Sequence, residues 1–201
     1  DDDMSSDARA IAFNCLENFG NCPIEKFKDT LKNIKQENKM QLSKLGIRIG
    51  AKYLFIPNLF KKKPLELCAI LWKTFYQNET DELLPLPTNG RVSFISEISM
   101  PDKYWQSIGY ININNFIFRI DVFEKIFFLA RQKLKKGPFL ESSDLMNPIG
   151  CNSDQLKDIM VFCGYEYITI SDKKKLYFLN NRKKETRKII NKKSNKKINK
   201  S

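Results

Sequence analysis

Histidine is absent from this chain of 201 residues, and long apolar runs are absent as well. Without histidine, the chain has no Ser-His-Asp triad, no His-ligated zinc site and no His general acid–base pair. No apolar run approaches the roughly 18 residues that a membrane-spanning helix needs, and no signal peptide opens the sequence. The sequence therefore predicts no membrane partner and a cytoplasmic location.

Glycine is scarce too, with eight residues, and the glycine-rich phosphate motifs are missing. The sequence contains no G-x-x-x-x-G-K-[ST] loop, no G-x-G-x-x-G and no G-x-S-x-G. Five cysteines are present without C-x-x-C spacing, so they form no recognisable zinc site. We interpret them as reduced core thiols, and we assign no catalytic residue, metal ligand or cofactor to this chain.

The positive charge is concentrated at one end. The chain has 35 Lys and Arg against 23 Asp and Glu, a net charge of +12. Residues 182–201 hold ten basic residues and one acid, a net +9, which leaves +3 for the other 181 residues. Hydrophobic residues make up 42% of the chain, so wholesale disorder is excluded. The chain begins Asp1-Asp2-Asp3, and we expect it to be a piece of a longer protein or a processed product.

The order of apolar periods and turn residues predicts an α+β fold that is mainly helical. A small helical bundle with a β-hairpin comes first, a winged helix-turn-helix-like unit follows, and a disordered basic tail ends the chain. The predicted segments are 1–77 for the helical unit, 78–103 for a linker or long surface loop, 104–180 for the winged-helix-like unit and 181–201 for the tail.

Apolar residues recur at helical spacing through most of the first segment. Serine and proline at the starts of these runs suit helix N-termini, and two short apolar strands around Gly50-Ala51-Lys52 indicate a hairpin. The predicted elements are a helix capped by Ser5 or Ser6, a helix from Pro23, a helix over about 36–45, a hairpin of 47–49 and 53–56, and a helix from Pro64.

The second segment has the stronger local signals. Asn114-Asn115 lies between two apolar strands and predicts a two-residue hairpin turn. Asp121 followed by Glu124 resembles a capping box, and Asn152 with Gln155 predicts the start of a later helix. A final hairpin is predicted around 171–174. The order strand, helix, helix, turn, helix, hairpin is that of a winged helix-turn-helix.

Three groups of basic residues are candidates for nucleic-acid contact. A lysine run before the fourth helix, with cations of the neighbouring hairpin, predicts a basic rim, and compact ammonium groups at the wing tip suit phosphates without reading bases. The basic tail predicts binding to nucleic-acid phosphates that weakens as the salt concentration rises. Plain solvated lysines and a solubilising tail are the alternatives. The candidates are Arg48, Lys52, Lys61, Lys62 and Lys63 in the rim, Lys173, Lys174 and Lys175 at the wing tip, and Arg182, Lys183 and Lys184 in the tail.

Sequence-specific DNA reading is not expected. Asp154 and Asp158 fall on the outward face of the helix that a winged helix would insert into the major groove, and phosphates repel carboxylates. Tyr104 and Trp105 follow the predicted linker and are candidates for exposed base stacking, with a place in the core as the alternative.

The succession of several short stretches resembles one family of motor proteins. The stretches are Asp2–Phe13, Leu45–Lys61 (LGIRIGAKYLFIPNLFK), Lys63-Pro64, Leu71-Trp72, Gly109-Tyr110, Arg119–Glu124 (RIDVFE), Phe139, Gly150-Cys151 and Gly164-Tyr165. Together they resemble the C-terminal region of alphaproteobacterial superfamily-2 ATP-dependent helicases related to the mitochondrial RNA-degradosome helicase. The resemblance spans nearly the whole chain up to about Tyr167.

The resemblance implies an ATP-dependent RNA or DNA helicase whose motor lobes, with their ATP and Mg²⁺, precede this chain. This chain would then be an accessory region that guides single-stranded RNA or DNA nonspecifically, with no activity of its own. A non-enzymatic winged-helix module that docks on a partner protein is the main alternative. A stand-alone transcription regulator is a third possibility, but it needs a dimer interface and a basic reading helix that the sequence does not show.

Overall fold

The computed structural model of this chain describes residues 4–76, 84–88, 90–170 and 174–179. Its fold is α+β and mainly helical, which confirms the predicted fold class. The helices are α1 (Ser6–Glu17), α2 (Lys28–Asn33), α3 (Gln36–Lys44), α4 (Lys62–Tyr76), α5 (Asp102–Ser107), α6 (Ile120–Leu134), α7 (Ser143–Met146) and α8 (Ser153–Phe162). The strands are β1 (Asn21–Pro23), β2 (Arg48–Ile49), β3 (Tyr53–Phe55), β4 (Ser93–Ile95), β5 (Tyr110–Ile113), β6 (Phe116–Arg119), β7 (Phe139–Leu140), β8 (Glu166–Thr169) and β9 (Lys175–Phe178).

The strands of the described residues form three antiparallel sheets of three strands each, all built in the same way. In each sheet two strands form a hairpin, and an earlier strand pairs with the second strand of that hairpin. The strand orders are β1-β3-β2, β4-β6-β5 and β7-β9-β8. Each sheet therefore folds an earlier segment of the chain back onto a later hairpin.

Three local predictions are confirmed. Asn114 and Asn115 form the β5–β6 turn with φ of 51° and 63°, the left-handed region that a two-residue type I′ turn requires. Asn152 and Gln155 form a capping box at the start of α8, in which each side chain accepts the other's backbone N–H at 2.9 Å. Ser5 caps α1, and its hydroxyl accepts the N–H of Ala8 at 3.3 Å.

Among the described residues, the core consists of three clusters of buried apolar side chains. One packs α1, α3 and β1 around Leu42 and Leu54. Another packs Trp72 of α4 against α5 and the second sheet. The largest joins Tyr53 and Phe55 of β3 to α6, α7, α8 and the third sheet. Residues of the predicted units 1–77 and 104–180 therefore share two of the three clusters.

Two predictions about the first half are wrong in detail. Pro23 does not start a helix but ends β1, and a 3-10 turn (Ile24–Phe27) precedes α2. Pairing of Cys22 with Leu54 in the sheet overrides the local preference of proline for a helix start. The fourth helix starts at Lys62, which places Pro64 in its first turn, where a missing N–H costs little.

The segment 78–103 is not wholly a linker or surface loop. Ser93–Ile95 form β4, which pairs with Phe116–Phe118 of β6. Because the partner strand lies later in the chain, local sequence does not reveal this pairing. Lys173 at the predicted wing tip and the whole predicted tail, with Arg182, Lys183 and Lys184, lie outside the described residues.

Candidate nucleic-acid interface

The buried side chain of Glu124 on α6 binds the loop between β2 and β3. Its carboxylate oxygens accept the backbone N–H groups of Ala51 at 2.6 Å, Lys52 at 2.8 Å and Tyr53 at 2.7 Å. Three donors compensate this carboxylate for the loss of water. The predicted capping box of Asp121 and Glu124 is therefore wrong, because Glu124 reaches to another element instead of back to the start of its own helix.

These three hydrogen bonds, which we call the Glu124 clasp, hold the loop that carries Lys52, one of the predicted contact residues. The Lys52 side chain lies beside an aromatic ring. The Lys52 ammonium lies 5.3 Å from the ring centroid of Phe127, one turn after Glu124 on α6. The guanidinium carbon of Arg131, one turn further on, lies 5.9 Å from the same centroid. Both distances are within the range of cation–π attraction. Two cations from distant parts of the sequence thus meet at one ring.

Phe127 forms part of an open cavity of about 350 Å³, which we call the Phe127 groove. Arg131 and Lys135 on its rim are exposed, whereas Phe127 and Tyr165 are buried. No carboxylate is among the lining residues within the described part of the chain. The groove is lined by Phe127, Arg131, Leu134, Lys135, Cys163, Tyr165 and Leu179.

The titratable groups in the floor of the groove are neutral at physiological pH. Burial raises the pKa of the Cys163 thiol to about 12, although the nearby ammonium of Lys52 acts in the opposite direction. Burial also raises the pKa of Tyr165 to about 12. The floor is therefore uncharged, and the charged side chains that line the groove are Arg131 and Lys135. The buried carboxylate of Glu124 lies close enough to Cys163 to raise its pKa further, and this carboxylate is hydrogen-bonded to the β2–β3 loop. Such a surface suits a ligand with an apolar or aromatic part and an anionic part.

The predicted basic rim is divided between different neighbours. Arg48 is exposed on β2, and its guanidinium lies 3.2 Å from the hydroxyl of Ser43. The exposed lysines Lys61, Lys62 and Lys63 lie at the start of α4. Lys62 lines a separate small cavity of about 40 Å³ beside Arg119. Of the five rim residues, Lys52 is the one that contacts the Phe127 ring, although it is not among the residues that line the groove.

At the wing, Lys175 differs from its predicted role. Its side chain is nearly buried, and its ammonium lies 2.6 Å from the Ser153 hydroxyl and 3.1 Å from the Asp154 carboxylate. Lys175 is thus an internal link between β9 and α8 and is not presented to phosphates. Lys174 is exposed, and its backbone carbonyl accepts the N–H of Ile170 across the hairpin.

The acids on α8 are paired with neighbouring groups. Asp158 accepts a hydrogen bond from the side-chain amide of Asn114 at 2.9 Å and lies 3.2 Å from the ammonium of Lys157. The ammonium of Lys175 lowers the pKa of Asp154, chiefly by hydrogen bonding. The charges of both acids are thus partly balanced by Lys175 of β9 and Lys157 of α8, and the neutral amide of Asn114 in the β5–β6 turn adds a hydrogen bond to Asp158.

Tyr104 and Trp105 are core residues, so their assignment to exposed base stacking is wrong. Both side chains are almost fully buried, at 0% and 1% exposure. The Tyr104 hydroxyl donates a hydrogen bond to the carbonyl of Pro85 at 2.7 Å. Their burial follows from α5, which packs this pair against α4 and the second sheet.

The sequence contains a signal for the groove that composition alone does not reveal. Phe127, Arg131 and Lys135 recur at intervals of four residues and therefore share one face of α6. A cation four residues after a buried aromatic residue on an amphipathic helix places a positive charge where the buried face of the helix meets the surface. The contribution of Lys52 is not visible in this pattern, because it depends on the long-range bond to Glu124.

Comparison with known proteins identifies no relative of this chain. No family model matches the chain, and neither the curated proteins nor the solved structures contain a match. Within the described residues, no group of three or more Cys, Asp or Glu side chains is arranged to hold a metal ion. No helix among those residues combines the length and apolar character needed to cross a bilayer.

Proposed function

We propose that this chain is the nucleic-acid-guiding accessory region of an ATP-dependent RNA or DNA helicase. The Phe127 groove carries this proposal, because it combines Arg131 and Lys135 with an uncharged aromatic floor, and Lys52 lies against the Phe127 ring beside it. Cations attract the phosphates of a strand, and apolar surface receives bases or sugars without reading their sequence. The ordered resemblance to the helicase family supplies the motor context.

A single strand is the substrate that suits this groove. A cavity of about 350 Å³ lies at the lower end of the size range of ligand sites and holds roughly one nucleotide unit at a time. A duplex keeps its bases stacked inside, where the floor residues Phe127 and Tyr165 do not reach them. The exposed Lys174 and the tail would add phosphate contacts, which strengthen binding without adding sequence preference.

The part of the chain from α6 to β9 is, in this proposal, a winged helix. Its succession α6, β7, α7, α8, β8, β9 and the sheet order β7-β9-β8 agree with that arrangement. It serves as a scaffold, and α8 does not read DNA in the major groove. The groove lies on α6 and at the base of the β8–β9 hairpin, away from the capping box of α8.

Motor activity is assigned to segments outside this chain. ATP and Mg²⁺ would bind in motor lobes that precede it in a cytoplasmic protein, and this chain would act on the strand that those lobes translocate. The coding sequence upstream of Asp1 tests this part directly. A G-K-[ST] loop and a D-E-x-[HD] box there support the helicase assignment, and an upstream region without either contradicts it.

A photocrosslinking experiment tests strand binding by this chain. An oligouridine that carries 4-thiouridine is irradiated with the protein, and the crosslinked peptides are identified by mass spectrometry. Crosslinks to the peptides that contain Phe127 and Tyr165 are expected. Crosslinks confined to other parts of the chain, or none at all, would contradict a strand in the groove.

A second candidate function is a protein-interaction module, and one surface favours it. Four large apolar side chains on α4 are about half exposed or more: Leu67, Ile70, Leu71 and Phe75. Exposed apolar side chains at this spacing are typical of a helix face that meets another protein. Recovery of a partner that survives nuclease and high salt, and that is lost in Ile70→Glu, supports this function over strand guidance.

A further inference from the structure

A second cavity, of about 200 Å³, lies between the end of α1, β1, α4 and α5, and we call it the Trp72 cavity. It shares no lining residue with the Phe127 groove. Its walls combine aromatic rings, side-chain amides and cations, which none of the predicted contact groups includes. The residues that matter for its chemistry are Asn21, Lys26, Trp72, Tyr76, Lys103 and Gln106.

One wall of the Trp72 cavity is aromatic. The rings of Trp72 and Tyr76, one turn apart on α4, have centroids 5.1 Å apart and planes tilted by 37°. Trp72 is buried at 3% exposure, whereas Tyr76 is 43% exposed. An exposed ring backed by a fixed one is a platform on which a flat aromatic ligand such as a nucleobase can stack.

Two buried polar atoms belong to residues of this cavity and lack a hydrogen-bond partner within the described residues. The Asn21 side-chain amide donates to the carbonyl of Phe19 at 3.0 Å, which fixes the amide and leaves its Oδ1 as an unpaired acceptor. The indole Nε1 of Trp72 is an unpaired donor. A buried polar group left unpaired is unfavourable, because it has lost its water without gaining a partner. Pairing both atoms takes one donor and one acceptor, which the edge of a ligand that enters the cavity can supply.

The backbone at the cavity wall is held in a costly conformation. Phe19 has a φ of 55°, in the left-handed region that residues other than glycine rarely adopt. Such a conformation is unfavourable for a residue with a side chain and persists only where the surroundings fix it, often beside ligand sites. Here it directs the carbonyl of Phe19 to the amide of Asn21, and so it orients the free acceptor.

The charges around the cavity favour an anionic group. Lys26 from the 3-10 turn after β1 and Lys103 from α5 both line it, and Glu17 is the carboxylate of the lining. The net charge of the lining is therefore +1. Neither lysine has an ion pair among the described contacts. A phosphate attached to an aromatic ligand can be bound by these ammonium groups.

We propose that the Trp72 cavity binds a single nucleotide, with the base on Tyr76, the edge of the base toward Asn21 and Trp72, and the phosphate at Lys26 and Lys103. Every nucleobase carries adjacent donors and acceptors, so the cavity selects the class of ligand without distinguishing the four bases. The choice of ligand rests on the proposed nucleic-acid function. The nucleotide is either free or one unit of the guided strand.

The test compares uridine 5′-monophosphate with ribose 5-phosphate, which has the same sugar and phosphate but no base. Binding to the full chain is measured by isothermal titration calorimetry. The uridine nucleotide is expected to bind at least tenfold more tightly than ribose 5-phosphate, because only the base reaches the aromatic wall. Equal affinities, or no binding of either compound, would overturn the proposal.

Two tryptophan variants provide a matched comparison. Trp72→Phe keeps an aromatic ring but removes the indole N–H, and it is expected to weaken nucleotide binding about threefold to tenfold. Trp105→Phe makes the same change at a buried tryptophan that does not line the cavity, and it is expected to leave affinity unchanged. Equal effects of the two variants would assign the loss to general packing and contradict the proposed contact.

Measuring oligouridine binding as well shows whether the nucleotide is free or part of a strand. It also distinguishes nucleotide binding in the Trp72 cavity from strand binding in the Phe127 groove. If the nucleotide is part of the strand, Trp72→Phe weakens oligouridine binding as well as mononucleotide binding. If it is free, only mononucleotide binding falls. Salt-dependent oligouridine binding together with no mononucleotide binding would refute the Trp72 cavity and leave the Phe127 groove intact. The reverse pattern would refute strand guidance and retain the cavity.

Discussion

The carboxylate of Glu124 on α6 accepts the backbone N–H of Tyr53 at 2.7 Å, across 71 residues of the chain. This bond, with those to Ala51 and Lys52, fastens the β2–β3 loop to the helix that carries the Phe127 groove. It determines where the Lys52 ammonium lies, and it links the first half of the chain to the second. The stability of the fold and the position of Lys52 beside the groove therefore depend on the same carboxylate.

Glu124→Gln tests how much the Glu124 clasp contributes to the stability of the fold. The amide keeps one acceptor oxygen, but it loses the charge and turns an NH₂ group toward backbone donors. The variant is expected to lower the free energy of unfolding by about 2–3 kcal/mol, because hydrogen bonds to a charged group are the strong ones. Urea denaturation measures the loss. Glu97→Gln, at an exposed glutamate, is the control and is expected to stay within about 0.5 kcal/mol.

Gly50→Ala tests the close approach of the loop to Glu124. A Cβ at position 50 would lie 2.4 Å from Cδ of Glu124, so the carboxylate or the loop must move. A loss of about 1–3 kcal/mol in the free energy of unfolding is expected. The same change made in a Glu124→Ala background is expected to cost much less. Additive losses in this double-mutant cycle would show that the two residues are not coupled.

The ion pair between Lys133 and Asp144 predicts a dependence of stability on pH. The nearby hydroxyl of Ser142 and the ammonium of Lys133 lower the pKa of Asp144 below its ordinary value, and the contact that the geometry shows is the ammonium, 3.0 Å from the carboxylate. A lowered folded-state pKa gives stability that is present above the unfolded pKa of about 3.9 and is lost as pH falls through the folded value. The stability difference between the protein and Asp144→Asn is therefore expected to be constant near neutral pH and to vanish in acid. A difference that persists at all pH values would contradict a role for the charge.

Deletion of residues 182–201 removes a net charge of +9 and tests whether the tail binds nucleic-acid phosphates as predicted. Binding to single-stranded RNA is expected to weaken, and its dependence on salt is expected to become less steep, because fewer counterions are released. Fluorescence anisotropy over a salt series measures both quantities. If the dependence of RNA affinity on salt does not change, the tail does not bind RNA. Its role would then be to keep the protein soluble, and the folded part would account for the binding.

Much of the fold could be predicted because its signals are local. The Asn114-Asn115 turn, the Asn152–Gln155 capping box and the α6 apolar face are patterns within a few residues, and each is present as predicted. The features that were missed depend on partners far along the chain. β4 needs β6, and β1 overrides the preference of Pro23 because it pairs with β3.

The candidate site was harder to predict for the same reason. The sequence predicts that Lys175 is an exposed cation at the wing tip, but in the structure its ammonium contacts Ser153 and Asp154 of α8. Tyr104 and Trp105 follow a polar segment, yet α5 packs them into the core. The groove is lined by the cations Arg131 on α6 and Lys135 directly after it, and only tertiary structure brings Lys52 of a distant loop to the Phe127 ring beside them.

The most direct test of strand guidance is the salt dependence of oligouridine binding to the double variant Arg131→Gln, Lys135→Gln. Its control is Lys35→Gln, Lys44→Gln, which removes two exposed lysines beside or at the end of α3. Each lost phosphate contact is expected to reduce the slope of log K against log salt by about 0.7, so the groove variant loses about 1.4 and the control loses nothing. Equal slopes for the two variants, or no salt-dependent binding by the unaltered chain, would contradict the Phe127 groove as a nucleic-acid site.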